Sequence, residues 1–182
     1  MKTRLYLLIL ILGSLFLLQA CSPNQPYVYR GLPKEYNLAY QEIYGHCYDS
    51  VSYAVVALDL YSEGLTLDKN HRIKGTGYNL YLSDIFVPDS LLEPGDYHSL
   101  PLHANPEPFT FLAGRDYEGT PHGMYILNIA DDKIQSIQVL DSGLMTYRND
   151  SLLFTLYYRN AYGYRATYTC SHTGTLIPWR KK

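Results

Sequence analysis

Between Asp49 and Leu60 apolar residues occupy both phases of a two-residue repeat. Val51, Tyr53, Val55, Ala57 and Asp59 fall on one side, and Ser52, Ala54, Val56, Leu58 and Leu60 on the other. A strand with one wet face alternates cleanly, whereas a nearly continuous apolar run suits a strand covered on both faces. From Tyr36 to Tyr48 the pattern fits two periods. Tyr36, Tyr40, Ile43 and Tyr44 make a helical stripe, while Leu38, Tyr40, Glu42 and Tyr44 line one face of a strand, and the strand is the preferred reading. Further strands are predicted over 65–67, 78–87, from Tyr97, over 109–112 ending at Gly114, over 123–129, 134–139, 143–147, 151–158, 164–170 and 174–177. The punctuation between them is turn chemistry: Pro94-Gly95, Ala130-Asp131-Asp132-Lys133, Arg148-Asn149-Asp150 and Asn160-Ala161-Tyr162-Gly163. Residues 100–108 hold three prolines and read as loop. Short strands with a turn signal about every ten residues predict an all-β domain. The expectation is an antiparallel β-sandwich of about eight to ten strands, with a calycin-like β-barrel as the alternative. No capped amphipathic helix, internal repeat or second domain boundary is visible in the pattern.

The first residues follow a different rule. Lys2 and Arg4 precede an apolar run from Leu5 to Leu18, and Gln19-Ala20-Cys21 follows. A basic start, a short apolar core and small residues describe a secretory signal peptide. The run is too short for a membrane-spanning helix, which needs about 20 residues. Leu18-Gln19-Ala20-Cys21 resembles the lipobox of bacterial lipoproteins. That resemblance implies cleavage before Cys21 and acylation of its thiol and amine, which fixes the chain to a membrane by lipid. Ser22 to Pro33, with Pro23, Pro26 and Pro33, reads as an extended tether. The expected organisation is a signal over 1–20, a lipidated tether over 21–34 and one β domain over 35–182. Ser22 after the cysteine, by resemblance to lipoprotein sorting patterns, implies the outer membrane, with the domain facing the periplasm or the cell surface.

Composition narrows the function classes. Lys2 and Arg4 are the only charges of the signal, so cleavage makes a chain of formal charge −2 more acidic still. The only basic cluster is Arg180-Lys181-Lys182, so nucleic acid is not an expected partner. The chain holds 20 tyrosines, an excess that suits pleated half-buried surfaces and also binding faces. Cys47 and Cys170 remain after Cys21 is assigned to lipid. In an oxidising compartment a disulfide between them ranks first, two buried thiols second, and a zinc site with His46 and His172 a distant third.

Catalytic signatures are absent from the sequence. No Gly-x-Ser-x-Gly elbow occurs, and Asp141-Ser142-Gly143 reads as a turn into a strand. Phosphate-binding glycine motifs are missing, and Gly75-x-Gly77 reads as strand punctuation. His98 and His103 near Asp96 could be written as zinc ligands, but no metal-ligand spacing supports them. His122 reads as a turn residue. Asp84 with Asp89, or Asp131 with Asp132, could be written as carboxylate pairs, but the second pair sits in a hairpin turn. No catalytic residue, metal or cofactor is therefore expected.

A family resemblance covers about residues 49–177. Its motifs are Gly75-Thr76-Gly77-Tyr78-Asn79-Leu80-Tyr81-Leu82, Pro94-Gly95-Asp96-Tyr97, Ser142-Gly143, Leu152-Leu153-Phe154-Thr155-Leu156, Tyr162-Gly163 and Gly174-Thr175-Leu176. Together they resemble a group of uncharacterised β-rich lipoproteins of Gram-negative anaerobes. The turn at Asn160-Ala161-Tyr162-Gly163 departs from the Asp-Gly more usual there. Strand-and-turn motifs speak to fold and carry no catalytic residues across. The expected function is a lipid-anchored envelope protein with a non-enzymatic binding or structural role. It would present loops or a tyrosine-rich face to a glycan, a peptide or an envelope protein. The alternatives are a calycin-like carrier of a small apolar ligand and a hydrolase whose site the motifs do not reveal.

Overall fold

The computed structural model describes residues 31–46, 52–101, 104–160 and 162–179. The described residues form strands and no helix. In chain order these are β1 (Glu35–Tyr36), β2 (Leu38–Gly45), β3 (Ala54–Tyr61), β4 (Leu65–Leu67), β5 (Ile73–Gly75), β6 (Gly77–Val87), β7 (Gly95–Leu100) and β8 (Thr110–Leu112). They continue as β9 (Arg115–Tyr117), β10 (Thr120–His122), β11 (Met124–Ala130), β12 (Lys133–Val139), β13 (Ser142–Arg148), β14 (Ser151–Arg159), β15 (Arg165–Thr173) and β16 (Ile177–Trp179). The all-β expectation holds, and the ambiguous stretch from Tyr36 is strand.

One 12-stranded sheet runs in the order β1-β15-β14-β13-β7-β8-β6-β3-β2-β16, with β11 added to β6 and β12 to β11. The first strand of this path, β1, and its penultimate strand, β2, are one piece of chain. Only Asn37 separates β1 from β2, and its N–H donates to the carbonyl of Tyr61 at 2.9 Å. Residues 35–36 pair in parallel with β15, and residues 38–45 pair with β3. The sheet therefore curls until it faces itself, which is how an all-β chain buries one face without a helix to cover it. Two small pairs, β4–β5 and β9–β10, lie outside it.

The enclosed face is filled by side chains. Leu58, Leu60, Leu80, Leu82, Phe111, Phe154 and Leu156 are fully buried in one cluster with Tyr36, Tyr97 and Tyr158. The Tyr168 hydroxyl donates to the carbonyl of Pro33 at 2.5 Å and lies 3.1 Å from the Tyr36 hydroxyl, so the closing strand is held by polar as well as apolar contacts. Cys170 is a buried free thiol in this core, and burial pushes it up to about 12. Cys47, its expected disulfide partner, lies outside the described residues, as do Cys21, His103 and the C-terminal Arg180-Lys181-Lys182. His172, two residues on, shares the inner face, and its Nδ1 lies 2.7 Å from the Tyr36 carbonyl, which makes that nitrogen the donor.

The hairpin turns follow their residues. Asp131-Asp132 and Asn149-Asp150 all take positive φ, from 50° to 64°, which is the geometry that matches the twist of two flanking strands. At the weaker turn the Asn160 side chain compensates: its Oδ1 accepts from the N–H groups of Tyr162 and Tyr164, both at 3.0 Å. Asp132 also ties its turn to β5, through an ion pair with Lys74 at 2.8 Å and a hydrogen bond from the Gly75 N–H. Of the two carboxylates in this turn, Asp132 is thus engaged in holding the turn to β5. The short strands β5, β9 and β10 were not anticipated, and the strand expected over 174–177 lies instead at Ile177–Trp179. His122, expected in a turn, is instead the last residue of β10.

Candidate functional site

The outer face of β2, β3, β6 and β11 is built of tyrosines, carboxylates and an asparagine. One cross-strand row is Tyr40, Asp59, Tyr81 and Tyr125, and the next is Leu38, Tyr61, Asn79 and Leu127. Leu65, Leu67 and Ile73 of the β4–β5 pair cover the second row, together with Ile129. That cover explains why every residue of β3 is buried on both faces.

Burial forces the polar groups of this face to find partners. Asp59 accepts from the Tyr61 hydroxyl and, at 2.5 Å, from Asn79 Nδ2, which also donates to the Leu60 carbonyl at 3.0 Å. Burial pushes the Asp59 carboxyl up to about 6; the two hydrogen bonds oppose this and the nearby Glu42 charge adds to it. Glu42, also buried, accepts from the Tyr44 hydroxyl at 2.5 Å. The Tyr44 hydroxyl lies 3.3 Å from that of Tyr81. Tyr44 has a single proton and spends it on Glu42, so Tyr81 is the donor in that contact. The Tyr81 oxygen therefore keeps its capacity to accept a hydrogen bond. Burial raises both phenols, Tyr44 to about 12 and Tyr81 further, and Tyr125 is raised to about 12 by the same cause. These tyrosines are neutral hydroxyls at every physiological pH.

A cavity opens where β6 changes partner. Up to Leu82 its free edge pairs with β11, and from Ile85 it pairs with β8. Between them Ser83 and Asp84 stand opposite the single residue Ala57 of β3. This is a β-bulge, with Asp84 in the left-handed region at φ 50°. The extra residue inverts the phase of the strand: Leu80 and Leu82 point into the core before it, Ile85 and Val87 after it. The chain between β8 and β11 leaves the sheet here as the β9–β10 hairpin and returns through Gly123. Gly123 has φ 73°, and a Cβ there would collide with the Ala113 carbonyl oxygen. Its own carbonyl accepts the Ser83 N–H at 3.0 Å, which fixes the hairpin against the bulge.

Two adjoining cavities result. The first, about 360 Å³, is lined by Tyr44, Tyr81 and Tyr125 with Val55, Ser83, Asp84, Pro121, His122 and Gly123. The second, about 320 Å³, is lined by Asp84, Leu112, Arg115, Tyr117, His122 and Gly123. Asp84, His122 and Gly123 belong to both, so the two make one groove. Ser83 Oγ donates to Asp84 at 2.8 Å, and the His122 ring meets the Tyr117 ring edge-on with centroids 6.0 Å apart. Flat aromatic faces, hydroxyls, a carboxylate and a guanidinium line one open groove, a set of groups able to stack on and hydrogen-bond a polar ring.

Sequence reasoning named several of these residues and grouped none of them. The sequence pattern puts Glu42, Tyr40 and Tyr44 on one strand face and Asp59 in phase with Tyr53, Val55 and Ala57. Asp84 was paired with Asp89, but it is in fact a bulge residue beside His122. Asp96, near the histidines that could be written as zinc ligands, sits elsewhere, held by Arg148 at 2.8 Å and by Thr146, with His98 exposed beside it. The signal that locates the groove is the phase slip itself: apolar residues at 80 and 82, then at 85 and 87, with Ser83-Asp84 between. Glu118-Gly119 between Tyr117 and Thr120 is likewise a two-residue turn, with φ of 50° and 84°. Among the described residues no group of three or more His, Cys, Asp or Glu is arranged to hold a metal ion. No protein-family model, curated protein or solved structure matches this chain.

Proposed function

We propose that this protein is a lipid-anchored envelope protein that binds a glycan through the tyrosine-lined groove at the Ser83–Asp84 bulge. The anchor is the lipid on Cys21 expected from the lipobox-like segment. The observation that carries the binding role is the groove: Tyr44, Tyr81 and Tyr125 line one cavity with Ser83, Asp84 and His122. Pyranose rings present an apolar face that stacks on tyrosine and a rim of hydroxyls that hydrogen-bonds to carboxylates and phenols. Tyr81 can accept from a sugar hydroxyl because its own proton is engaged with Tyr44. Asp84 is held facing the groove by the bulge and accepts from Ser83. The packed interior leaves the outer groove as the better support for a ligand than the inside of the curled sheet.

The test is binding of the full-length protein, purified in detergent, to a panel of neutral and charged oligosaccharides. At least one glycan class binds, and Tyr81→Ala weakens it about tenfold or more while thermal melting stays within a few degrees. No binding across the panel, or binding that Tyr81→Ala leaves unchanged, overturns the reading. Attachment is tested separately: Cys21→Ser moves the protein from the membrane to the soluble fraction, and retention after washing overturns the anchor.

A further inference from the structure

The two halves of the groove differ in charge. The Tyr44–Tyr81–Tyr125 half lies beside Glu42 and Asp59, whereas the other half adds Arg115, which faces the shared His122 across the β9–β10 ladder. Arg115 is half-buried and makes no ion pair or side-chain hydrogen bond among the described residues. Arg148 and Arg159, by contrast, pair with Asp96 and Asp141, and Arg165 lies over the Tyr157 ring. Asp84 lines the same cavity as Arg115 but is engaged by Ser83 instead. Asp116, next in sequence, is turned to the backbone, where it accepts the Gly119 N–H at 2.8 Å. A half-buried guanidinium left without a partner at the wall of a cavity is an unused fork of five donors.

We infer that the ligand is an acidic glycan whose sugar carboxylate is held by Arg115 and His122, with its ring against Tyr117. This rests on the glycan reading of the groove and names the class of sugar. A planar carboxylate matches the guanidinium fork with two parallel hydrogen bonds. Tyr117 is 63% exposed and leans on His122, so it offers a free aromatic face next to the charge. Leu112 supplies the apolar floor, and Asp84 accepts from a hydroxyl of the same or the neighbouring ring. The chain as a whole is acidic, so a general attraction for anions is absent and the site must supply the charge locally.

The experiment compares oligosaccharides of galacturonic and glucuronic acid with their carboxyl-reduced counterparts, which keep linkage and length but lose the charge. Full-length protein in detergent is titrated with each at low and moderate salt. The acidic forms bind, and carboxyl reduction weakens binding about tenfold or more. Arg115→Gln produces a loss of similar size, Arg115→Lys a smaller one because the point charge survives without the fork, and none of these variants shifts the melting temperature by more than a few degrees. Equal binding of acidic and reduced forms overturns the inference and leaves the glycan reading standing. Binding of acidic forms that Arg115→Gln leaves unchanged also overturns it. Binding of neither form overturns it too, and the neutral members of the wider panel then decide whether the glycan reading falls with it.

Discussion

Two stretches of the same sheet treat their outer faces in opposite ways. In β14 and β15 burial alternates residue by residue: Leu152, Phe154, Leu156 and Tyr158 point into the core, while Leu153 and Thr167 face water. In β3 all eight residues are buried. The inner faces are alike, so the difference lies in what covers the outside. Over β3 the β4–β5 pair and the neighbours of Val55 and Phe86 add a second apolar layer. Over β14 and β15 nothing among the described residues does so, and the outer positions are Ser, Thr and scattered larger side chains. The covered face can therefore hold carboxylates and phenols in fixed, dry geometry, and the open face cannot. Preorganised polar chemistry in a sheet protein needs a second layer, and here it also needs the bulge that opens that layer to a ligand.

Adjacent residues of β14 break the comparison most sharply. Phe154 is fully buried and Leu153 is 52% exposed. Phe154→Ala costs about 3–5 kcal/mol in chemical denaturation, through lost burial and the cavity left behind. Leu153→Thr changes stability by about 0.5 kcal/mol or less. Comparable losses at the two positions would mean that the outer face of β14 is covered after all.

The covered face carries a pH signature that the open face lacks. Asp59 sits among Glu42, Tyr61, Tyr81 and Tyr125, and its carboxyl is raised from 3.8 to about 6. The folded state then holds this proton more tightly than the unfolded chain. Its contribution is fully present below about pH 4 and is lost as pH rises through about 6. The loss is about 3 kcal/mol at one unit per 1.36 kcal/mol. Urea melts of the wild type between pH 4 and pH 7 should show this decline, and Asp59→Asn should flatten it. An unchanged slope in the variant removes Asp59 as its source.

Gly123 sharpens the role of the bulge. Gly123→Ala places a side chain at φ 73° and against the Ala113 carbonyl, costing about 1–3 kcal/mol. Because the strain is local to the groove, glycan binding should fall more steeply than the melting temperature does. A variant that binds normally would show that the hairpin does not depend on this approach to the bulge. The smallest effect belongs to the open side: Arg148→Ala breaks an ion pair with Asp96 whose side chains are 63% and 66% exposed, and should shift stability by less than about 1 kcal/mol, with that small shift fading in high salt.

Much of this contrast was legible along the chain. The two-phase apolar run from Val51 to Leu60 announced a strand covered on both faces, whereas Ser151 to Tyr158 announced a strand without saying which side is wet. The Asp131-Asp132 and Asn149-Asp150 turns were equally plain, because positive φ selects few residue types. The short hairpins were not, since three residues per strand carry too little periodicity to register. The expectations for Cys21, Cys47 and the signal segment lie outside the described residues and stand on the sequence alone.

By itself the sequence determined the all-β class, most of the long strands and the principal hairpin turns, because these follow from backbone sterics and a period of two. Only the tertiary structure decided that residues 35–45 pair with β15 at one end of the sheet and with β3 near the other, that β4 and β5 cover Tyr61, and that Arg115 and His122 line one cavity with Asp84. Periodicity tells a residue's side of its own strand but carries no record of the neighbour across it. That neighbour is chosen by pairing between segments far apart in the chain, and at the bulge by a single extra residue that turns one strand toward two partners.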